Sequence, residues 1–231
     1  MFIVLRGGQV PGKRSYGEGC PIAHSLDLVG ERWALLVVRE LRLGARRYSD
    51  LQEALPAIAP TVLSQRLKDL EAVGVLRRRE LEPPAAGRVY ELTEWGAELE
   101  PVFRALARWG ARSPVVPLSG HVSADSVMLG LRTFFSPPEG HEPWSARYEV
   151  LLGRERYRIG VERGRLAHLA RGRDPEGADV VVRTTKEAWR RVLAREEPVA
   201  GAVAAGRLEV EGDPDLLERL VAAAAPPPAA G

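Results

Sequence analysis

Residues 58–71, IAPTVLSQRLKDLE, decide the fold of the first half of the chain. The leucines at positions 63, 67 and 70 recur at steps of four and three residues, which places them on one face of a helix. Pro56 to Pro60 predicts a turn before this helix, since neither proline fits a helix interior, and Gly74 predicts its end. We therefore predict a helix over 61–73 with a polar face opposite the leucines.

The segments on either side of this helix predict a helix-turn-helix followed by a wing. Apolar residues recur at helical spacing between Cys20 and Leu43, and a shorter helix covers Tyr48 to Leu55. Two strand-like pieces joined by a Pro/Gly-rich tip predict a hairpin over 75–93. A further helix, from about Trp95 to Ala111, closes the unit. In this architecture the third helix enters the major groove of DNA.

The polar face of helix 61–73 carries side chains that suit base recognition. Gln pairs with adenine, Ser with any base edge, and Lys or Arg with guanine or phosphate. The hairpin arginines are expected near the DNA backbone, where phosphate contacts fix the register. Each residue taken alone fits an ordinary solvated surface, so the prediction depends on their order and spacing. The predicted DNA-binding residues are Thr61, Ser64, Gln65, Arg66, Lys68 and Arg88.

The motifs of this region, in their order, resemble the HxlR-type winged-helix regulators of bacteria. They begin with CPI at 20–22, include Trp33 and the pair RY at 47–48, continue through 58–71, and end with YELT at 90–93. The resemblance spans roughly ninety residues and is highly specific. It implies a homodimer that binds a pseudo-palindromic operator in double-stranded DNA, with the terminal helices forming much of the dimer contact. Such regulators repress or activate.

Cys20 is the sole cysteine, which excludes an intrachain disulfide and a Cys-rich zinc site, and we expect no metal. Some regulators of the resembled type use a cysteine at this Cys-Pro position as an oxidation sensor. That chemistry requires an exposed thiol of lowered pKa, and a helix N-terminus lowers it. Cys20 precedes a predicted helix. The alternative is a small residue packed at the start of a helix.

The second half of the chain predicts a different kind of domain. Alternating apolar residues, followed by helical segments, predict an α+β domain whose antiparallel sheet is covered by helices. The ending, from Asp179 through Gly206 to Asp213, resembles sterol-carrier-protein-type lipid-binding domains. This resemblance implies an apolar tunnel between sheet and helices that takes a small apolar or lipid-like effector. The candidate lining residues are Met128, Leu131, Phe134, Phe135, Trp144 and Trp189. The alternative interpretation is that these residues simply form the hydrophobic core.

Composition, the lack of long apolar segments and the lack of catalytic motifs limit the classes of function that remain. With 45% hydrophobic and 28% charged residues the chain has the composition of a globular protein, and its net charge of +2 says little about nucleic acid. The apolar start is too short for a signal peptide, and no stretch reaches the length of a membrane span, so we expect a cytoplasmic protein with no membrane partner. We find no catalytic motif in the sequence. We therefore expect that the protein is not an enzyme and binds no cofactor.

The sequence predicts that the chain is divided into five segments. They are a flexible arm (1–19), a DNA-binding and dimerisation domain (20–112), a linker (113–121), a ligand-binding domain (122–225) and a disordered tail (226–231). The leading prediction is a dimeric transcriptional regulator modulated by an apolar ligand. Two alternatives stay open: a lipid carrier whose front domain only dimerises, and a regulator whose second domain is structural, with Cys20 or nothing as its input.

Overall fold

The computed structural model describes residues 15–82, 87–114 and 120–226. The chain divides into two compact units, Met1–Leu99 and Glu100–Gly231. Most of the predicted arm, the middle of the predicted linker, the end of the predicted tail and the hairpin tip lie outside the described residues. In the part of the chain that the structure describes, no helix is both long and apolar enough to cross a membrane.

The first unit consists of short helices and one hairpin. Its elements are α1 (Pro21–Val29), α2 (Ala34–Leu41), α3 (Tyr48–Ala54), α4 (Pro60–Ala72), β1 (Leu76–Glu80), β2 (Arg88–Leu92) and α5 (Glu94–Ala97). The predicted winged helix-turn-helix is confirmed, with α4 as the helix expected over 61–73. The two strands pair antiparallel, with Leu76 opposite Leu92 and Glu80 opposite Arg88. Arg46 adds a backbone bridge to Tyr90 at the edge of this hairpin.

Local chemistry explains where α4 begins and ends. Pro60 lies in the first turn, where its missing N–H costs no hydrogen bond. Leu63, Leu67 and Leu70 are at most 1% exposed, so the apolar face is fully buried. Gly74 follows the helix at a φ of +77°, a left-handed conformation that favours glycine. The helix is therefore fixed along its length by one buried face.

The helix predicted from Trp95 to Ala111 is two helices in the structure. The first is α5, and the second is α6 (Glu100–Gly110), which belongs to the second unit. Pro101 explains the break, because a proline inside a continuous helix would remove a backbone hydrogen bond and clash with the preceding turn. The apolar periodicity continues across the break, and for this reason the sequence pattern alone predicted one helix where the structure has two.

The second unit adds a sheet with helices to α6. Its further elements are α7 (Ala124–Phe134), β3 (Ala146–Leu152), β4 (Glu155–Glu162), β5 (Arg165–Arg171), β6 (Val180–Thr184), α8 (Lys186–Leu193), α9 (Val199–Ala204), β7 (Leu208–Gly212) and α10 (Pro214–Ala223). The strand order is β5-β4-β3-β6-β7. The prediction of a purely antiparallel sheet is wrong, because β3 and β6 pair parallel. The chain leaves β5 at one edge and crosses to the far side of β3, so β6 runs in the same direction as β3.

A buried polar network ties α7 to this sheet. Asp125, in the first turn of α7, is fully buried. Its Oδ1 accepts a hydrogen bond of 2.7 Å from the Tyr157 hydroxyl on β4, and the Arg171 guanidinium on β5 donates Nε–H to both carboxylate oxygens at 3.0 and 3.1 Å. Arg171 also contacts Oδ2 through Nη2. A buried carboxylate is tolerated here because the Arg171 guanidinium neutralises its charge and its oxygens accept hydrogen bonds from Tyr157 and Arg171.

Candidate nucleic-acid interface

The exposed face of α4 displays three polar side chains. Thr61, Gln65 and Lys68 are exposed, on the side of the helix opposite the buried leucines. Gln65 donates Nε2–H at 2.8 Å to the carboxylate of Asp69, the residue one helical turn further along α4. Lys68 has no partner among the described residues. Sequence and structure therefore agree on which side of this helix faces solvent.

Ser64 ties α4 to α3. The Tyr48 hydroxyl donates a 2.9 Å hydrogen bond to the Pro60 carbonyl oxygen at the start of α4, and the Ser64 hydroxyl donates to the Tyr48 oxygen at 3.3 Å. Ser64 is half-buried as a result. This side chain holds the turn between the two helices, which fixes the angle at which α4 is presented.

Arg66, also predicted to contact DNA, lies in a network of ion pairs. Its guanidinium is 3.2 Å from Glu31 and 3.2 Å from Asp69, and its side chain is 15% exposed. Arg66 therefore connects α4 to the turn between α1 and α2. The acidic partner Glu31 lies 35 positions earlier in the chain, and the sequence pattern held no signal for it.

Four arginines of the hairpin pair with carboxylates of the same unit. Arg88 contacts Glu80 across the two strands at 2.8 Å. Its neighbours on β1 form three further pairs: Arg77 with Glu91 at 2.8 Å, Arg79 with Glu91 at 3.0 Å, and Arg78 with Glu71 at 2.9 Å. All four arginine side chains remain about half exposed or more. Sequence reasoning missed the three acidic partners Glu71, Glu80 and Glu91, although the register of the hairpin places Glu91 opposite Arg77 and Glu80 opposite Arg88.

Cys20 is exposed at the N-terminus of α1. Hydrogen-bonding interaction with the backbone N–H groups of Ala23 and, to a lesser degree, Ile22 lowers the pKa of its thiol. The lowered pKa increases the thiolate fraction at neutral pH, and exposure lets oxidants reach the sulfur.

The six candidate ligand residues lie in or beside the core of the second unit. Met128, Leu131 and Trp189 are fully buried, Trp144 is nearly so, and the remaining two, on the last turn of α7, are half-buried. The Trp144 indole N–H donates to the Tyr148 oxygen at 2.9 Å. The Trp189 indole nitrogen, in contrast, is buried without a hydrogen-bond acceptor.

A cleft of about 530 Å³ lies elsewhere in the second unit, and none of these six residues lines it. Its walls include Arg158, His168 and the segment from Asp174 to Asp179. Arg147 makes two contacts with that segment. Its backbone N–H donates to the Asp179 carboxylate at 2.7 Å, and its guanidinium pairs with the Glu176 carboxylate at 2.8 Å. Two carboxylates of the cleft, those of Glu176 and Asp179, are thus engaged in holding this loop. Across residues 15–82, 87–114 and 120–226, no group of acidic, His or Cys side chains is arranged to hold a metal ion.

Comparison with known proteins identifies most of the first unit together with α6. Residues 28–114 match the family model described as HxlR-like helix-turn-helix. The HTH-type regulator sll1512 of Synechocystis is 41% identical over 96 residues, which cover 41% of this chain and 70% of that regulator. The chain belongs to the HxlR-like helix-turn-helix family. The HTH-type transcriptional regulator YvaP of Bacillus subtilis is 36% identical over 93 residues, which cover 40% of this chain and 86% of that regulator.

Among solved structures, the reduced form of the transcriptional regulator YodB from B. subtilis is 31% identical, covers 42% of this chain and 97% of its own, and has a TM-score of 0.38. The match to the HxlR-like family model ends at residue 114. Residues 150–229 match a second family model, described as alkyl sulfatase C-terminal. This second match covers about a third of the chain, and it leaves the function of the second unit open.

Proposed function

We propose that the protein is a transcriptional regulator that binds double-stranded DNA through α4 and the hairpin. The observation that carries the proposal is the exposed row of Thr61, Gln65 and Lys68 on α4, opposite a fully buried leucine face. In a helix-turn-helix this face enters the major groove, where a glutamine amide can pair with adenine and a lysine with guanine or phosphate. Arg88 on the hairpin is exposed and can contact the DNA backbone.

Arg66 and Ser64 have a supporting role in this proposal. Both side chains are engaged within the unit, Arg66 with two carboxylates and Ser64 with Tyr48. They fix the position of the helix that reads the groove. The test is equilibrium titration of genomic DNA fragments at several salt concentrations, with the intact protein and with a variant that lacks the exposed side chains. Absence of any salt-dependent binding would contradict the proposal.

The regulator is proposed to act as a homodimer on a pseudo-palindromic operator. Two helices expose apolar side chains at helical spacing: Ile22 and Leu26 on α1, and Val102, Leu106 and Trp109 on α6. Trp109 is 80% exposed, which is unusual for a large aromatic side chain unless a partner covers it. A second copy of the chain is the partner that a two-fold operator requires. Light scattering at the protein concentrations of the DNA titration measures the stoichiometry directly.

A small apolar or lipid-like effector is proposed for the second unit, whose ending resembles sterol-carrier-type domains. The buried indole N–H of Trp189 lacks an acceptor, and α8, which carries it, packs against α7. Met128 and Leu131 are buried residues of α7. A ligand that enters between α7 and α8 with one acceptor oxygen would satisfy this donor. To act as an effector it must bind the DNA-competent state with a different affinity from the other state.

We therefore expect protein purified under native conditions to carry an apolar small molecule, released by organic extraction and detected by mass spectrometry. Trp189→Phe keeps an aromatic ring, although a smaller one, and removes the indole N–H, so it is expected to reduce the amount carried, whereas Trp109→Phe, on the exposed face of α6, makes the same change of side chain and serves as the control. An empty protein that also fails to shift its melting temperature with fatty acids would contradict the effector proposal. Bound lipid without any DNA binding would instead favour the lipid-carrier alternative.

Redox control through Cys20 is a second candidate input, favoured by the exposure of the thiol and its lowered pKa. Since each chain has one cysteine, a disulfide of this kind must join two protomers. Treatment with hypochlorite or peroxide is expected to give a covalent dimer on a non-reducing gel, reversed by a thiol reductant and absent in Cys20→Ser. A gel that shows only monomer after oxidation would rule out the disulfide form of this input.

A further inference from the structure

One carboxylate holds two arginines of the hairpin. Glu91 on β2 accepts the Nε–H of Arg77 at its Oε1 (2.8 Å) and the Nε–H of Arg79 at its Oε2 (3.0 Å). The Glu91 side chain is 17% exposed, whereas Arg77 and Arg79 are 66% and 49% exposed. The carboxylate is therefore the inner member of this cluster, and the two guanidinium groups form its outer layer.

The same mode of attachment recurs at the two other arginines of the hairpin. Arg78 donates its Nε–H to Glu71 at 2.9 Å, and Arg88 donates its Nε–H to Glu80 at 2.8 Å. In all four cases the carboxylate occupies Nε, and the terminal Nη groups have no hydrogen-bond partner among the described residues. A guanidinium offers five N–H donors, so each of these arginines still has its outer fork available for a phosphate.

We propose that Glu91 is a positioning residue for DNA binding, which holds Arg77 and Arg79 so that their Nη groups face two neighbouring phosphates. This inference rests on the proposed DNA-binding function of the hairpin. Arg77 and Arg79 are two positions apart on one strand, so they share a face and lie about 7 Å apart along it. A carboxylate between them offsets their mutual repulsion at this spacing.

The energetic benefit of this arrangement is pre-organisation. A free arginine side chain loses considerable rotamer freedom when it binds one phosphate in one geometry. Attachment through Nε restricts that freedom before DNA arrives, while the fork that contacts phosphate stays unoccupied. Arg77, and then Arg79, also lower the pKa of Glu91, so the bridge stays charged at neutral pH.

Glu91→Gln and Glu82→Gln form a matched pair for the test. Glu82 is exposed at the same hairpin and has no arginine partner among the described residues, so both variants remove one negative charge from the same surface. Charge alone predicts that both variants bind DNA more tightly. Positioning predicts the opposite sign for Glu91→Gln. Arg77 and Arg79 bond different oxygens of Glu91, and glutamine replaces one of these oxygens with an NH₂ donor, so one of the two contacts is lost.

Binding of the full-length variants to a 30-base-pair duplex is measured by fluorescence anisotropy at several salt concentrations. We expect Glu91→Gln to weaken binding about fivefold, because the lost rotamer restraint outweighs one unit of charge, while Glu82→Gln is neutral or tighter. Binding by Glu91→Gln as tight as that by Glu82→Gln would overturn the proposal.

A second background separates positioning from a structural effect of Glu91. In an Arg77→Ala/Arg79→Ala protein the substitution Glu91→Gln should cause no further loss, since nothing remains to be positioned. A further loss in that background would assign Glu91 to the stability of the hairpin and overturn the inference. If the intact protein binds no DNA at all, the proposed function itself fails. If the intact protein binds DNA and Glu91→Gln binds with the same affinity, only the positioning role of Glu91 fails.

Discussion

Replacement of Gln65, Lys68 and Arg88 together by alanine is expected to weaken DNA binding by about a hundredfold or more without unfolding the protein. A bidentate contact between a glutamine and adenine contributes about 1–3 kcal/mol of discrimination. Each cation that neutralises one phosphate contributes about 0.9 to the slope of log K against log salt concentration. Loss of Lys68 and Arg88 should therefore flatten that slope by up to about two, while loss of Gln65 removes discrimination between sequences.

The fold should tolerate this change because all three side chains are exposed and the buried leucine face of α4 is intact. Arg165→Ala/Arg173→Ala is the matched control, since it removes two exposed positive charges from the second unit. This control should leave both the affinity and the salt slope nearly unchanged. If the triple variant binds operator and unrelated DNA with the affinity and slope of the intact protein, the assigned surface is wrong.

The exposed row of α4 was predictable from sequence because helix periodicity settles a face from local spacing. The leucines at 63, 67 and 70 have to point inward, and this alone turns Gln65 and Lys68 outward. Arg66 lies at the flank of that face, where the same periodicity cannot decide. Its position depends on Glu31, a long-range contact that the spacing of residues in α4 does not encode.

The direction of strand pairing in the second unit was not predictable for a related reason. Alternation along β3 and β6 shows which residues face the core, and Tyr148, Val150, Val180 and Val182 are indeed fully buried. It carries no information about whether a neighbouring strand runs parallel or antiparallel. That choice depends on the path of the chain between β5 and β6, and this path produced the mixed sheet.

Asp125 shows the same limit for a polar residue. In the sequence it lies one position into a helix that begins after Ser123, where an acidic side chain commonly interacts with the helix dipole. In the structure it is fully buried, and its partners Tyr157 and Arg171 lie 32 and 46 residues further along the chain. Nothing in the local pattern distinguishes this buried role from an exposed one.

Asp125→Ala is accordingly expected to destabilise the second unit by about 3–5 kcal/mol, the usual cost of removing one partner from a buried ion pair. The substitution leaves the Arg171 guanidinium, whose side chain is 20% exposed, without its carboxylate, and it leaves the buried Tyr157 hydroxyl without its acceptor. Asp125→Asn should cost less, because the amide oxygen can still accept from Tyr157 while the charge is lost.

Urea unfolding followed by the fluorescence of the buried tryptophans of the second unit measures this cost. Glu187→Ala is the matched control: it removes an acidic side chain from the first turn of another helix of that unit, but one that is 67% exposed, so we expect a change below about 1 kcal/mol. A loss for Asp125→Ala no larger than that of the control would mean that the network around Asp125 does not hold α7 on the sheet. The ordering Asp125→Ala, then Asp125→Asn, then Glu187→Ala follows from the buried contacts that each change removes.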